Sequence, residues 1–311
     1  MKKIFVLMLI ALSMVCMIDI LFKETFKKSP WGIYKKLHQI LEDTCYYDIW
    51  IMGSSRAETA FETCILSQKT KFKFFNAGIQ GAKTPQIFYL LKHILRQHPT
   101  PQYLILDIDV HNLENKDTFV HIEHFSPFLY IPDLRINFSH IDPRVLYAYY
   151  FPLYDFSFYG LPGWSKFIHT ITYTPSRYDT SFQISGCYHA HLPYQHPQRP
   201  DTTHSFQFHP DNLTYLDSIT VLCQRKNIPL LVTVSPVFQP DSNIHKAVQD
   251  VFSYLQKKNV KGIDFTDIKT ISYDSKKFSD KYHLSFKGSV EFTKIFQDSL
   301  FQSLSRHDYF N

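Results

Sequence analysis

The 311-residue sequence has few of the features that mark several common protein classes. It contains only nine glycines and shows no internal repeats, which argues against repeat and low-complexity architectures. The net charge of +5 is small and the basic residues are scattered, so a nucleic-acid surface is not expected. No Gly-rich phosphate loop follows the first predicted strand, which disfavours a phosphate-binding flavodoxin-like module. What remains is an ordinary globular composition, rich in aromatics, with 28 Phe and 20 Tyr.

Cysteine is also scarce, with five residues in the chain. Their spacing matches no zinc motif. One of them, Cys16, lies in an apolar N-terminal run. Two interpretations of the others stay open: a disulfide between Cys45 and Cys64, which an exported protein could form, or buried free thiols. The four cysteines concerned are Cys45, Cys64, Cys187 and Cys223.

The N-terminus carries an almost unbroken apolar run from residue 4 to residue 22, flanked on both sides by lysines. About 20 apolar residues suffice for a helix to cross a bilayer. No small-x-small cleavage site follows, and Val15 before Cys16 is a poor match to a lipoprotein signal. We therefore predict an uncleaved signal anchor over residues 1–28, with membrane contact through residues 4–22. A cleaved signal peptide and a buried core helix are the alternatives.

From residue 47 onward, short apolar runs alternate with amphipathic segments. This alternation predicts a three-layer α/β/α sandwich with a mainly parallel, flavodoxin-like sheet. The predicted strands are 49–52, 72–75, 103–110, 228–234 and 262–265. The predicted helices are 57–66, 85–96 (after a loop over 76–84), 213–225, 244–257 and 285–304.

Residues 113–210 interrupt this alternation and are crowded with aromatic side chains. A structureless loop of that length is unusual, so we predict an inserted subdomain or lid. Its aromatic faces suit sugar rings or a membrane surface, or they form a small separate core. The predicted domains are therefore 1–28, 29–112, 113–210 and 211–311. Five of its histidines cluster near its end without zincin spacing, and no metal site is predicted: His189, His191, His196, His204 and His209.

Residues 53–56, Gly-Ser-Ser-Arg, follow the first predicted strand and precede a helix. A serine at such a corner lies at the carboxyl edge of a sheet, where backbone N–H groups can hold a developing negative charge. The alternative is that Ser54 or Ser55 only caps the helix, which is the common role of serine at this position.

Near the C-terminus, Asp280 and His283 are three residues apart, just before the last predicted helix, for which Ser285 is a plausible N-cap. In this spacing the carboxylate can accept the imidazole Nδ1–H and leave Nε2 free to act as a base. A serine hydroxyl needs such a base to become a nucleophile. The two motifs together predict a Ser-His-Asp triad.

The two motifs resemble those of SGNH/GDSL-type hydrolases, in a divergent, membrane-anchored branch found with bacterial surface-polysaccharide genes. The resemblance covers residues 47–112 and 213–300. It implies that Ser55 is the nucleophile, that Ser54 takes the Asp place of the first block, and that Asp280 and His283 complete the triad.

The resemblance also implies an oxyanion hole. Its donors are the backbone N–H groups of Ser55 and Gly81, joined by the side chain of Asn112 or His111. Gly81 comes from residues 76–81, which resemble the second block, whereas the third block lacks its glycine.

The branch includes proteins similar to alginate O-acetylation factors and to the D-alanine transfer protein of teichoic acid synthesis. The resemblance therefore implies an O-acetyltransferase or esterase that needs no cofactor. Its substrate is an acylated surface glycan or an acyl donor, and its partner is a membrane-bound O-acyltransferase. The expected location is the bacterial cell membrane, single-pass, with the globular domain outside the cytoplasm. Ser54 and Arg56 are possible substrate contacts. The alternative is a catalytically silent protein that binds polysaccharide or scaffolds a glycan assembly complex.

Overall fold

The computed structural model describes residues 1–30, 32–68, 70–114, 121–174, 181–184, 187–190, 194–197 and 205–305. The chain forms two compact units. The helical unit comprises Met1–Thr44 and Thr118–Asp179, and the α/β unit comprises Cys45–Asp117 and Thr180–Asn311. The domain boundaries predicted at residues 28, 112 and 210 remain predictions.

The secondary structure elements are numbered along the chain. The strands are β1 (Ile49–Gly53), β2 (Phe74–Asn76), β3 (Tyr103–Asp107), β4 (Ser181–Ile184), β5 (Cys187–Ala190), β6 (Leu230–Val234) and β7 (Lys261–Asp264). The helices are α1 (Lys2–Lys27), α2 (Gly32–Leu41), α3 (Ser55–Ala60), α4 (Thr63–Gln68), α5 (Thr84–Gln97), α6 (Ile122–Phe125), α7 (Pro132–Ile141), α8 (Arg144–Tyr150), α9 (Phe156–Ile171), α10 (Pro210–Arg225), α11 (Ser242–Gln256), α12 (Lys269–Ser272) and α13 (Phe286–Ser305). Short 3-10 helices occur at Val110–Leu113, Ser126–Phe128 and Ser275–Lys277.

The α/β unit is built on a five-stranded sheet in the order β2-β1-β3-β6-β7, with all pairs parallel. Both faces of β1 are buried, as expected of a parallel strand covered on each side. Ile49 and Ile51 join a cluster with Phe292 and Phe296 of α13, whereas the Trp50 ring contacts His98 at the end of α5. Successive side chains thus pack against helices on opposite faces, and the predicted fold class is confirmed.

Several predicted boundaries differ from the structure. The largest difference is at the predicted helix 57–66, which is divided into α3 and α4 around Phe61. Here the Phe61 carbonyl accepts a hydrogen bond from Asn76 Nδ2, and the Glu62 N–H donates to Thr293 Oγ1. These bonds come from distant parts of the chain and replace the hydrogen bonds of a continuous helix. The third predicted strand is also shorter, since β3 ends at Asp107.

The state of the cysteines contradicts one of the two interpretations left open by the sequence, the disulfide between Cys45 and Cys64. Cys64 is disulfide-bonded, but Cys45 is free and exposed. The proposed bond between Cys45 and Cys64 is therefore wrong. Cys223 is a free thiol buried in α10, and its burial raises the pKa of the thiol to about 12.

The helical unit contains α1, α2 and α6–α9. Residues 121–171 of the predicted insertion are thus mostly helical, a pattern that their aromatic-rich sequence concealed. In α1, apolar side chains from Ile4 to Leu21 are largely exposed, whereas Phe22 and Phe26 are buried against the Phe167 ring of α9. By length and composition, α1 could cross a membrane, either as an anchor or as a signal sequence.

Candidate active site

The corner between β1 and α3 separates the roles of the two serines. Ser54 is the N-cap of α3, where its hydroxyl accepts a hydrogen bond from the Arg56 N–H at 3.3 Å. Ser55 is the first residue of the helix, and its Oγ lies 2.8 Å from His283 Nε2. The capping role predicted as an alternative for either serine therefore belongs to Ser54. Ser55 is left to contact the histidine.

Gly53 allows this corner to form because β1, β3 and α3 converge on it. A Cβ atom at this position would lie 2.6 Å from the Ala57 Cβ and 2.6 Å from the Asp107 carbonyl oxygen. Atoms that close would force β1 and α3 apart. Any larger residue at Gly53 would displace Ser55 from His283.

His283 is held from its other side by Asp280. The imidazole Nδ1 lies 2.8 Å from Asp280 Oδ2 and 2.9 Å from Oδ1. Asp280 Oδ1 also accepts the backbone N–H groups of Tyr282 and His283, at 2.8 Å and 2.9 Å. These bonds fix the tautomer with Nδ1–H directed at the carboxylate, so Nε2 can accept the hydrogen of Ser55. The structure thus brings the three residues of the predicted triad together.

The Asp280 carboxylate favours its ionised form. Partial burial opposes ionisation, but the hydrogen bond and the charge of His283, with the two backbone N–H groups, outweigh it and lower the pKa of the carboxyl. At neutral pH the group is therefore an anion. A carboxylate in this position stabilises the imidazolium that forms when His283 takes a proton.

The loop after β2 lies against α3. Asn76 Nδ2 donates to the carbonyl oxygens of Ala57 and Phe61, at 2.9 Å and 3.1 Å, and Asn76 Oδ1 accepts the Gly78 N–H. A Cβ atom on Gly78 would lie 2.5 Å from the Glu58 nitrogen. The motif that resembles the second family block therefore holds this loop against α3.

The predicted oxyanion donors differ in their surroundings. Gly81 lies in this loop with a φ of 71°, a conformation that favours glycine. The Asn112 amide is already engaged, because Nδ2 donates to the Ala82 carbonyl at 3.1 Å and Oδ1 accepts from Lys83 Nζ at 2.9 Å. The His111 ring instead contacts the Tyr282 ring, beside His283 in the chain, at 5.3 Å between centroids. The oxyanion roles of Ser55, Gly81 and Asn112 or His111 remain predictions.

Arg56 is only 2% exposed, and its guanidinium points inward. Nη2 donates to the Ser235 carbonyl at 2.5 Å, and Nε lies 3.4 Å from Ser235 Oγ. In this position the side chain links α3 to the end of β6 and does not face solvent, where a polymer would bind. Ser54, the other possible substrate contact, is also buried, with 3% exposure.

A buried carboxyl lies next to this arginine. Asp107, at the end of β3, accepts a hydrogen bond from Thr233 Oγ1 at 2.9 Å and is 1% exposed. Burial raises the pKa of Asp107 to about 6, although the Arg56 charge and the Thr233 hydrogen bond oppose the rise. Sequence reasoning missed this cluster. Its members are separated by more than 50 residues and share no local pattern.

A second group missed by sequence reasoning is a set of aromatic rings beside His283. The Tyr282 ring lies 6.4 Å from the His283 ring, and His111 lies 4.9 Å from Phe206. With the contact between His111 and Tyr282, these rings form a continuous row next to the triad. We call Tyr282, His111 and Phe206 the aromatic row.

One group in the helical unit could be considered for a metal. His121, Glu123 and His124 offer ligand atoms within 4.8 Å of one another. However, the two imidazole rings are stacked with only 17° between their planes, and His121 Nδ1 bonds Glu123 Oε1 at 2.9 Å. In-plane lone pairs of stacked rings run nearly parallel and converge poorly on one ion. Among the histidines of the predicted insertion, His191 and His204 lie outside the described residues.

Comparisons with known proteins give solved structures of similar architecture. A candidate acylhydrolase from Bacteroides fragilis NCTC 9343 matches with a TM-score of 0.43 and 11% identity, covering 91% of this chain and 95% of its own. A candidate platelet activating factor from Streptococcus pneumonia matches with a TM-score of 0.44 and 12% identity, covering 86% and 90%. A candidate lipolytic protein of the G-D-S-L family from Desulfitobacterium hafniense DCB-2 matches with a TM-score of 0.40 and 8% identity, covering 81% and 98%.

Sequence comparisons add little to these matches. A family model that carries no description matches residues 200–305, which is less than half of the chain. No curated protein matches the sequence.

Proposed function

We propose that the protein is a serine-dependent acyl-ester enzyme, an O-acetyltransferase or esterase. The observation that carries this proposal is the hydrogen-bonded chain from Ser55 through His283 to Asp280, with 2.8 Å at each link. A nucleophile, a base within reach and a group that orients the base are the requirements of acyl transfer at serine.

The reaction proceeds in two halves. Ser55 Oγ attacks the acyl carbonyl carbon while His283 Nε2 takes the hydroxyl proton, and the carbonyl oxygen becomes an oxyanion. The intermediate collapses, and the leaving alcohol receives the proton from His283, which leaves the acyl group on Ser55. In the second half, His283 deprotonates water or a sugar hydroxyl, and that oxygen takes the acyl group. Water gives hydrolysis and a sugar gives transfer.

We propose an exported cell-surface polysaccharide as the substrate. The aromatic row supports this, because partly exposed rings beside the base can stack on the C–H faces of a sugar. The resemblance of the two motifs to the membrane-anchored branch of the SGNH/GDSL hydrolases supports it as well. In this proposal, α1 anchors the protein in the bacterial cell membrane with the α/β unit outside the cytoplasm. A membrane-bound O-acyltransferase supplies the acyl group.

The experiment is labelling with a fluorophosphonate, which reacts with an activated serine and not with a capping serine. We expect the full-length protein to be labelled and Ser55→Ala and His283→Ala to remain unlabelled. Ser54→Ala is the matched control, since it removes the neighbouring hydroxyl and leaves Ser55 in place. Equal labelling of Ser55→Ala and the unsubstituted protein would contradict the proposal.

A catalytically silent protein that binds polysaccharide is the second candidate. The observation that favours it is the Asn112 amide, which is engaged with Ala82 and Lys83 and so is poorly placed to hold an oxyanion. This candidate predicts no labelling at Ser55 together with retained binding to surface glycan. The aromatic row would then be the binding surface, and Tyr282→Ala would weaken glycan binding.

A further inference from the structure

The exposure of the apolar side chains of helix α1 changes abruptly between Leu21 and Phe22. Large apolar side chains up to Leu21 are exposed, and Leu21 itself is 59% exposed. The next residue, Phe22, is only 5% exposed and stacks on the Phe167 ring at 4.4 Å. The large apolar side chains of the helix are therefore bare before residue 22, and from Phe22 onward the helix packs on the rest of the helical unit.

The length of the bare segment is informative. Residues 4–21 span about 27 Å as a helix, since each residue rises ~1.5 Å. The hydrocarbon core of a bilayer is about 30 Å thick. If α1 crosses a membrane, the bilayer therefore extends at least to the level of Phe22. Side chains of the helical unit at that level would meet the lipid.

The charged side chains of Asp19 and Lys23, near this level, are paired with each other and hydrogen-bonded to the backbone. Lys23 Nζ lies 2.9 Å from Asp19 Oδ2 and donates to the Ala148 carbonyl at 2.9 Å. Asp19 Oδ1 accepts the Leu153 N–H at 2.9 Å. Paired and hydrogen-bonded charges of this kind are tolerated at the edge of a bilayer, whereas bare ones are costly. The same bonds hold the end of α8 and the loop after it beside this turn of α1.

Three large aromatic side chains, two at the end of α8 and one in α9, are exposed. Tyr150 and Phe151, at the end of α8, are 65% and 59% exposed, and they precede the Leu153 that binds Asp19. Trp164 of α9 is 48% exposed, and its ring lies 5.7 Å from the Phe22 ring. All three are therefore at the level where the bare part of α1 ends. Exposed apolar clusters of this kind mark interaction surfaces.

We propose that Tyr150, Phe151 and Trp164 form an interfacial collar that seats the helical unit on a lipid bilayer beside α1. Tyrosine and tryptophan are enriched at the membrane–water boundary because their rings are apolar and their O–H or N–H groups remain hydrated. The bilayer is the occupant that α1 itself indicates, because the apolar side chains of that helix are exposed up to Leu21 and Trp164 lies beside Phe22.

The test uses the full-length chain in phosphatidylcholine nanodiscs and the fluorescence of Trp164. The chain has three tryptophans, so the measurement is made in a Trp31→Phe background. Trp50 is fully buried in the α/β unit, and Trp31→Phe/Trp164→Phe records its signal alone. Subtraction gives the Trp164 signal, which is measured with doxyl quenchers near the lipid headgroups, with doxyl quenchers at the bilayer centre, and with iodide in the buffer.

We expect the headgroup-level quencher to remove most of the Trp164 fluorescence, more than the central quencher does, and iodide to have little effect. Quenching by iodide with none by lipid places Trp164 in water or against a protein and overturns the proposal. Stronger quenching from the bilayer centre also overturns it, because Trp164 would then lie within the hydrocarbon. Failure of the chain to enter nanodiscs has the same consequence.

A second measurement changes the other two collar residues and reads the same Trp164 signal. Tyr150→Asp/Phe151→Asp places two charges in the collar, and we expect the lipid quenching of Trp164 to fall and iodide quenching to rise. Tyr173→Asp is the matched control, because Tyr173 is 75% exposed but lies away from the collar. It follows the end of α9, where Thr170 contacts Ser29, a residue that comes after the C-terminal end of α1. Equal behaviour of the two variants would contradict the collar.

Discussion

Both the α/β unit and the helical unit bury some charged side chains, but they differ in where these lie and in which large apolar side chains are exposed. The α/β unit buries charged groups, including Arg56 and Asp107, next to the proposed nucleophile. The helical unit exposes large apolar groups, including Phe151 and Trp164, next to α1. Buried charges are costly unless they are paired and hydrogen-bonded, and large exposed apolar patches are unusual in water. The two proposals account for this difference: the α/β unit would carry out the chemistry, and the helical unit would meet an apolar environment.

The largest expected effect separates the two serines at the corner. Ser55→Ala removes the nucleophile, and we expect hydrolysis of p-nitrophenyl acetate to fall by ~10⁴-fold or more, since triad members act as a unit. Ser54→Ala removes a helix cap, which typically costs about 1 kcal/mol of stability, and leaves the triad intact. Activity and thermal unfolding of both variants are the measurements. Similar losses of activity in both would show that the corner has only a structural role.

The next effect tests the orienting role of Asp280. Asp280→Asn keeps the shape but allows the wrong imidazole tautomer, and we expect a loss of activity on the order of 10³–10⁴-fold. The lowered pKa of Asp280 also predicts a pH dependence. A carboxyl whose folded-state pKa is depressed stabilises the fold above its unfolded pKa, and that contribution is lost as the pH falls through the folded value. Acid unfolding of the wild type and of Asp280→Asn measures it, and identical acid stability would contradict the ionised assignment.

The comparison of the two units can be tested directly with a pair of phenylalanines. Phe292 is fully buried in the α/β unit, so Phe292→Ala should lower the free energy of unfolding by about 3–5 kcal/mol. Phe151 is 59% exposed in the helical unit, so Phe151→Ala should change stability in detergent by less than about 0.5 kcal/mol. A large loss in Phe151→Ala would mean that this side chain belongs to a core and would remove the contrast.

A further prediction, smaller than the effect at Phe292, concerns the buried carboxyl of Asp107. Its pKa is raised to about 6, so the folded state holds the proton more tightly than the unfolded chain. Stability therefore decreases as the pH rises from about 4 to about 6, by up to about 3 kcal/mol. Asp107→Asn should remove this slope. Chemical unfolding at several pH values measures it, and an unchanged slope in the variant would assign the titration to another group.

Much of the fold could be predicted because it follows from local patterns. The apolar runs and helical stripes indicated all five strands of the sheet and the main helices of the α/β unit, since each element shows its burial in a few consecutive residues. Apart from α1, the helical unit was not predicted as helical. Its aromatic side chains lack a clear period because several of them, such as Tyr150 and Trp164, are exposed.

The parts of the site that depend on local sequence could be predicted, and those that depend on long-range contacts could not. Asp280 and His283 could be paired because their bond is local, and Gly53-Ser54-Ser55 could be placed because a strand and a helix meet there. The burial of Arg56 could not be predicted, since its partner Ser235 is 179 residues away. The engagement of Asn112 by Lys83 also depends on a contact outside any local pattern.

By itself, the sequence determined the α/β class, the apolar N-terminal helix and the two short motifs, because these depend on hydrogen bonds and periodicity within a few residues. Only the tertiary structure decided which serine contacts the histidine. Ser55 and His283 are 228 residues apart, and their 2.8 Å contact arises from the packing of β1, α3 and the loop before α13. It also decided that Phe22 is covered while Leu21 is bare, because burial depends on which surfaces the rest of the chain supplies.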